Sequence, residues 1–147
     1  MLTDDLIEIY ERDIRRLREE ISLYKDDAHL WRTSGEIKNS AGTIALHLVG
    51  NLKYWIGNVI GGNKFVRDRD SEFTIRNIPR ADILKMIDET AADVTKALTL
   101  LREKDLANEF PSDVLEKRVT AHHYLIYLIS HLNYHAGQIN YHRRLTG

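Results

Sequence analysis

Apolar residues recur every three or four positions along most of the chain, with polar residues between them. Leu6, Tyr10, Leu17, Ile21 and Tyr24 stand at spacings of three, four or their sums, which predicts a first helix over residues 4–25, capped by Thr3 or Asp4. A second apolar segment, from Thr43 to Ile60, follows Asn39-Ser40, a pair suited to an N-cap, and meets a stop signal at Gly61-Gly62. The third places Leu84, Ile87, Ala91, Val94, Leu98 and Leu101 in strict three-four alternation behind Pro79 and Asp82. The fourth is predicted from Leu115 to Leu145, with Val119, His122, Ile126 and Ile129 on one stripe and Arg143-Arg144 at the end the helix dipole makes negative. No segment alternates with the two-residue period of a strand.

Four such helices, joined by connections of about 15, 20 and 13 residues, bury their stripes most simply as an all-α four-helix bundle. The middle connection, from Gly61 to Arg80, is long enough to cross the bundle. About 20 residues at ~3.3 Å each outreach a helix that rises only ~1.5 Å per residue. Helices two and three then run parallel and the order is up-down-down-up, which sets the start of helix two beside the end of helix four and brings His47 near His135. An up-down-up-down order is the alternative.

Size and charge narrow the function. The 147 residues suit one domain, 1–147, with its own apolar core. The absence of cysteine rules out disulfides and thiolate metal ligands, so any metal must rely on His, Asp, Glu or amide groups. With 21 Lys plus Arg against 22 Asp plus Glu, the chain lacks the basic excess of a nucleic-acid binder. It shows no signal-peptide pattern and no run of about 18 uncharged apolar residues. The expectation is a cytoplasmic protein with neither nucleic acid nor membrane as a partner.

The candidate chemistry lies in the histidines. His131 and His135 are one helical turn apart, so their rings leave one face at a distance of ~6 Å, which lets two imidazoles share an ion. The pair alone carries little, because seven histidines give about 0.3 such pairs by chance. His47 adds weight, since it sits inside the apolar run TIALHLVG, where a titratable ring needs a partner, commonly a backbone carbonyl. His142 continues the face of His131, His135 and Gln138 and is a candidate fourth ligand. Adjacent His122 and His123 point about 100° apart and read as solvent-facing, and His29 beside Trp31 reads as packing or solvent. Tyr54, Trp55, Tyr124 and Tyr127, at helical spacing, read as core. Arg67, Asp68, Arg69, Asp70 and Glu72 form either a solvated self-paired loop, or a pair of guanidiniums that bind an anion or lock the loop over a site with carboxylates. No phosphate-binding Gly-rich loop, nucleophile elbow or HExxH helix is present.

Asn39-Ser40 followed by His47 in NSAGTIALHLVGN, and the ending His131-Leu132-Asn133-Tyr134-His135-Ala136-Gly137-Gln138-Ile139, resemble the DinB/YfiT-like superfamily of metalloenzymes and its HxxxHxGQI signature. The stretch RDRDSEF, Arg67 to Phe73, resembles one subgroup of unassigned function. The resemblance spans nearly the whole chain. It implies a ferritin-like order of four helices, often a homodimer, and a divalent metal, Zn, Ni or Mn, on His47, His131 and His135. Some members of the superfamily transfer low-molecular-weight thiols, opening or isomerising electrophilic small molecules, and others have been suggested to be hydrolases.

Three neutral imidazoles without a dependable fourth ligand match catalytic more than structural zinc sites. The expectation is therefore a metal-dependent thiol transferase or hydrolase. Asn51, one turn beyond His47, and Gln138, one turn beyond His135 on its own helix, are candidates to hydrogen-bond the ligands and orient their rings. No carboxylate stands out as a general base. The competing expectation is a non-catalytic module that holds a structural or sensing metal, or a dimeric bundle in which the histidines satisfy one another.

Overall fold

A computed structural model describes residues 1–146, and among them every regular element is helical. Helix α1 (Leu2–Ser22) buries Leu6, Tyr10, Ile14, Leu17 and Ile21, a stripe of three- and four-residue steps. It ends three residues before the expected boundary, although Tyr24 beyond it is still buried. Helix α2 (Ala41–Leu52) starts where Ser40 accepts a hydrogen bond from the Thr43 amide, and all of its residues are buried. It continues as a π-helix, Lys53–Ile60, before Gly61 and Gly62 stop it. The single expected helix is thus two segments of different pitch. A side chain at Gly61 would collide with Ala97, so this glycine lets the wider turn lie against the neighbouring helix, and Gly57 leaves room for the Asn63 side chain as the chain turns back.

The crossover carries a short helix, α3 (Arg69–Thr74), which the periodicity did not predict. Pro79 opens α4 (Arg80–Thr99), whose core stripe begins at Ile83 rather than Leu84 and continues through Ile87, Thr90, Val94, Ala97 and Leu98. After a one-turn helix, α5 (Glu103–Leu106), comes α6 (Ala121–Thr146). Helix α6 begins six residues later than expected. The preceding segment instead runs alongside residues 108–110, with the Phe110 amide donating to the Val119 carbonyl at 2.8 Å and the Ala121 amide to the Asn108 carbonyl at 2.8 Å. The expected stripe of α6 is also corrected. The core face is Ala121, Tyr124, Leu125, Leu128, Leu132, Ala136 and Ile139, whereas Ile126 is exposed.

Cross-helix pairs fix the order. Arg18 meets Asp88 and Glu11 meets Thr95, so α1 and α4 are antiparallel. The Tyr10 hydroxyl reaches the Leu125 carbonyl and Glu20 binds Asn140, so α1 and α6 are parallel. Lys53 pairs with Glu89 while Gly61 abuts Ala97, so the α2 segment runs parallel to α4. His47 meets His131 and Trp55 meets Tyr124, so α2 is antiparallel to α6. The order is up-down-down-up, and the crossover spans the bundle. Among the described residues no helix is long and apolar enough to cross a membrane.

Candidate metal centre

The antiparallel seam of α2 and α6 carries the three histidines. His47 is buried on α2, about two turns past the capped start, while His131 and His135 face it from consecutive turns of α6. The His47 ring centroid lies 5.1 Å from that of His131 and 5.3 Å from that of His135, both nearly edge-on. One ligand nitrogen from each of the three falls within 4.8 Å of the others. The closest pair, His47 Nε2 and His131 Nε2, is 3.2 Å apart. That is about the ~3.3 Å expected between two nitrogens on one tetrahedral ion at ~2.05 Å.

The far sides of two rings are already occupied, which decides their tautomers. A carboxylate only accepts, so His47 Nδ1 donates to Glu72 Oε1 at 3.1 Å and leaves Nε2 with its lone pair toward the other histidines. His135 Nδ1 donates to Gln138 Oε1 at 2.7 Å with the same result. His131 Nδ1 is buried with no hydrogen-bond partner. Burial, reinforced by the charges of His135, His47, Arg67 and Arg69, holds the His131 pKa down to about 4, so its ring is neutral at physiological pH. Burial likewise lowers His135, partly offset by Gln138. Ligand nitrogens that converge within 4.8 Å of one another, with the His131 ring neutral, fit a divalent cation.

Glu72, in α3, is the residue that sequence reasoning left inside a charged loop. Its carboxylate is buried, which on its own pushes the pKa up, but hydrogen bonds from His47 and Arg67 outweigh burial and hold the group ionised below the usual glutamate range. Arg67 grips both oxygens, at 2.8 and 2.9 Å, in a planar two-point pair. The carboxylate occupies a notch at Gly50, where any Cβ would overlap it. Gly50 lies one turn after His47, and a glycine inside a helix costs about 1 kcal/mol against alanine. That cost was the available signal for the notch.

The remaining candidates separate. Asn51 is buried, yet its Oδ1 has no partner and it makes no hydrogen bond to His47; Glu72 takes that place. His142 is turned away from the triangle. Its Nδ1 is 2.7 Å from the Tyr24 hydroxyl and its Nε2 2.7 Å from the Arg32 carbonyl, so neither nitrogen is left for an ion. His29 binds Asp26, and His123 faces solvent. Arg69 is exposed and stacks on Phe73, with Cζ 5.4 Å from the ring centroid. The triangle forms one wall of a cleft of about 720 Å³, lined also by Glu36, Lys38, Arg69, Phe73, Tyr134 and Gln138.

No curated protein matches the chain in sequence. In structure it is similar to a DinB-like protein from Bacillus cereus ATCC 10987, with a TM-score of 0.77 at 17% identity over 97% of this chain and 91% of that one. A sequence family described as a protein of unknown function, DUF1572, matches residues 5–146. The up-down-down-up bundle is therefore a DinB-like fold, and the chain belongs to the DUF1572 family.

Proposed function

We propose that this protein is a metal-dependent enzyme that holds a divalent ion, Zn, Ni or Mn, through His47, His131 and His135, and acts as a low-molecular-weight thiol transferase or a hydrolase. The observation that carries the reading is the convergence of three ligand nitrogens within 4.8 Å on the wall of an open cleft. A divalent ion held by three neutral imidazoles supplies a Lewis acid that acidifies a coordinated water or thiol. The chain's own groups do the rest. Glu72 and Gln138 keep the His47 and His135 lone pairs on Nε2, and Phe73 and Tyr134 give the cleft apolar walls beside the triangle. Because His142 is engaged elsewhere, no fourth histidine closes the set, which favours catalysis over a structural or sensing ion.

The reading includes a cytoplasmic location, where a small thiol is at hand, and a homodimer. Helix α6 exposes Tyr127, Tyr134 and Tyr141 at seven-residue intervals, a face that a second copy would cover. A sedimentation experiment that finds only monomer at micromolar concentration removes the dimer.

The test of the main reading is metal analysis of purified protein, followed by incubation with a panel of thiols, electrophiles and esters. Wild type should carry about one equivalent and turn over at least one pairing, and His135→Ala should lose both. Less than about 0.1 equivalent of metal, with stability unchanged by chelator, counts against the centre itself. Equal rates for wild type and His135→Ala count against catalysis.

A further inference from the structure

We infer that the cleft takes a substrate whose anionic oxygens, a carboxylate in the simplest case, are held by Arg69 while its reacting end lies at the histidine triangle. The inference rests on the metal reading above and names the substrate class of that site. The crossover brings two arginines close enough to act on His131, and they are not equivalent. Arg67 gives the Nε–Nη2 edge of its guanidinium to Glu72, is mostly buried, and does not line the cleft, so it is committed to the carboxylate rather than to a ligand. Arg69 lines the cleft, and among the described residues it makes neither a hydrogen bond nor an ion pair.

The position of Arg69 suits recognition. The Phe73 ring that supports it is itself 5.2 Å from His47, so a single phenyl ring separates the guanidinium from the triangle. Stacking restrains the side chain and leaves its N–H edges for a planar oxyanion, which a guanidinium binds at two points. The other charged groups of the lining, Lys38 and Glu36, are opposite in sign and exposed. Arg69 therefore sets the sign of the cleft, and a divalent ion adds to it. Such a field draws anions and resists cations.

The test uses the whole protein loaded with Co(II) as a spectroscopic probe of the centre. Wild type and R69Q are titrated with 4-mercaptobutyrate and with its neutral amide, 4-mercaptobutanamide, following the sulfur-to-cobalt charge-transfer band. Wild type should bind the acid about 5- to 10-fold more tightly than the amide, and R69Q should narrow that gap to about twofold or less. Absence of an acid preference in wild type, or its full retention in R69Q, overturns the assignment to Arg69 and leaves the metal centre standing. If wild type takes up no Co(II), the metal reading fails and this one falls with it.

Discussion

Glu72 and Gly50 shape the candidate centre as much as the histidines do. A histidine ligand is only as well placed as the group that holds its other nitrogen, and loss of such a group costs metal affinity about 10- to 100-fold. For His47 that group is the Glu72 carboxylate, which fits only because Gly50 has no side chain. Gly50→Ala should therefore weaken metal binding by about 10- to 100-fold, read by competition with a chromophoric chelator, even though alanine itself favours the helix by about 1 kcal/mol. Glu72→Gln should give a similar loss. Because both act through one carboxylate, the double variant should be little worse than either alone. Additive losses would show that the two residues work separately. The histidines were legible in the sequence because their spacing on a helix and the apolar setting of His47 are local facts. Glu72 was not, because nothing local says that a carboxylate 25 positions from His47 lies 3.1 Å from it.

The crossover shows the same limit at the level of elements. Its length gave the order of the helices, since only a long connection permits α2 and α4 to run parallel. Its charges misled, because RDRDSEF reads equally well as a solvated loop. In the structure the Arg67 and Glu72 side chains are only 10% and 7% exposed, so their pair is not a surface ion pair. Removing one partner from a buried pair leaves the other charge uncompensated, at about 3–5 kcal/mol. The segment can relieve that cost by opening locally, so Arg67→Gln should loosen the crossover more than the bundle. Hydrogen exchange should then quicken about tenfold or more over residues 63–76, while α1 and α4 keep their protection. Uniform acceleration across all helices would mean that the pair supports the fold as a whole. Helix α6 resisted sequence reading for another reason. It is apolar on two faces, with Tyr124, Leu128 and Leu132 inward and Ile126, Tyr127 and Tyr134 outward, so periodicity alone could not choose the buried one.

For the whole molecule, the question is whether an ion at the histidine triangle would hold the bundle together or be held by it. The core runs through all four long helices, with Tyr10, Leu17, Leu48, Ile87, Leu98 and Leu125 among its buried members, and none of these touches the histidine triangle through a polar bond. Burying such side chains contributes about 1.5–3 kcal/mol each, which makes the apolar core, rather than any ion the triangle would bind, the main source of stability. An ion that binds only the folded state adds to this by mass action, about 2.7 kcal/mol when its free concentration is 100 times the dissociation constant. For a chain of this size that corresponds to a rise in Tm of roughly 5–10 °C. Chelation should remove that increment and leave the far-ultraviolet circular dichroism of a folded helical protein at room temperature. His131→Ala should do the same, with a Tm that no longer responds to added metal. If the apo protein or His131→Ala instead unfolds at room temperature, the ion is structural. That outcome would count against catalysis at the α2–α6 seam, because an ion that the fold depends on has no reason to keep a coordination position open for substrate.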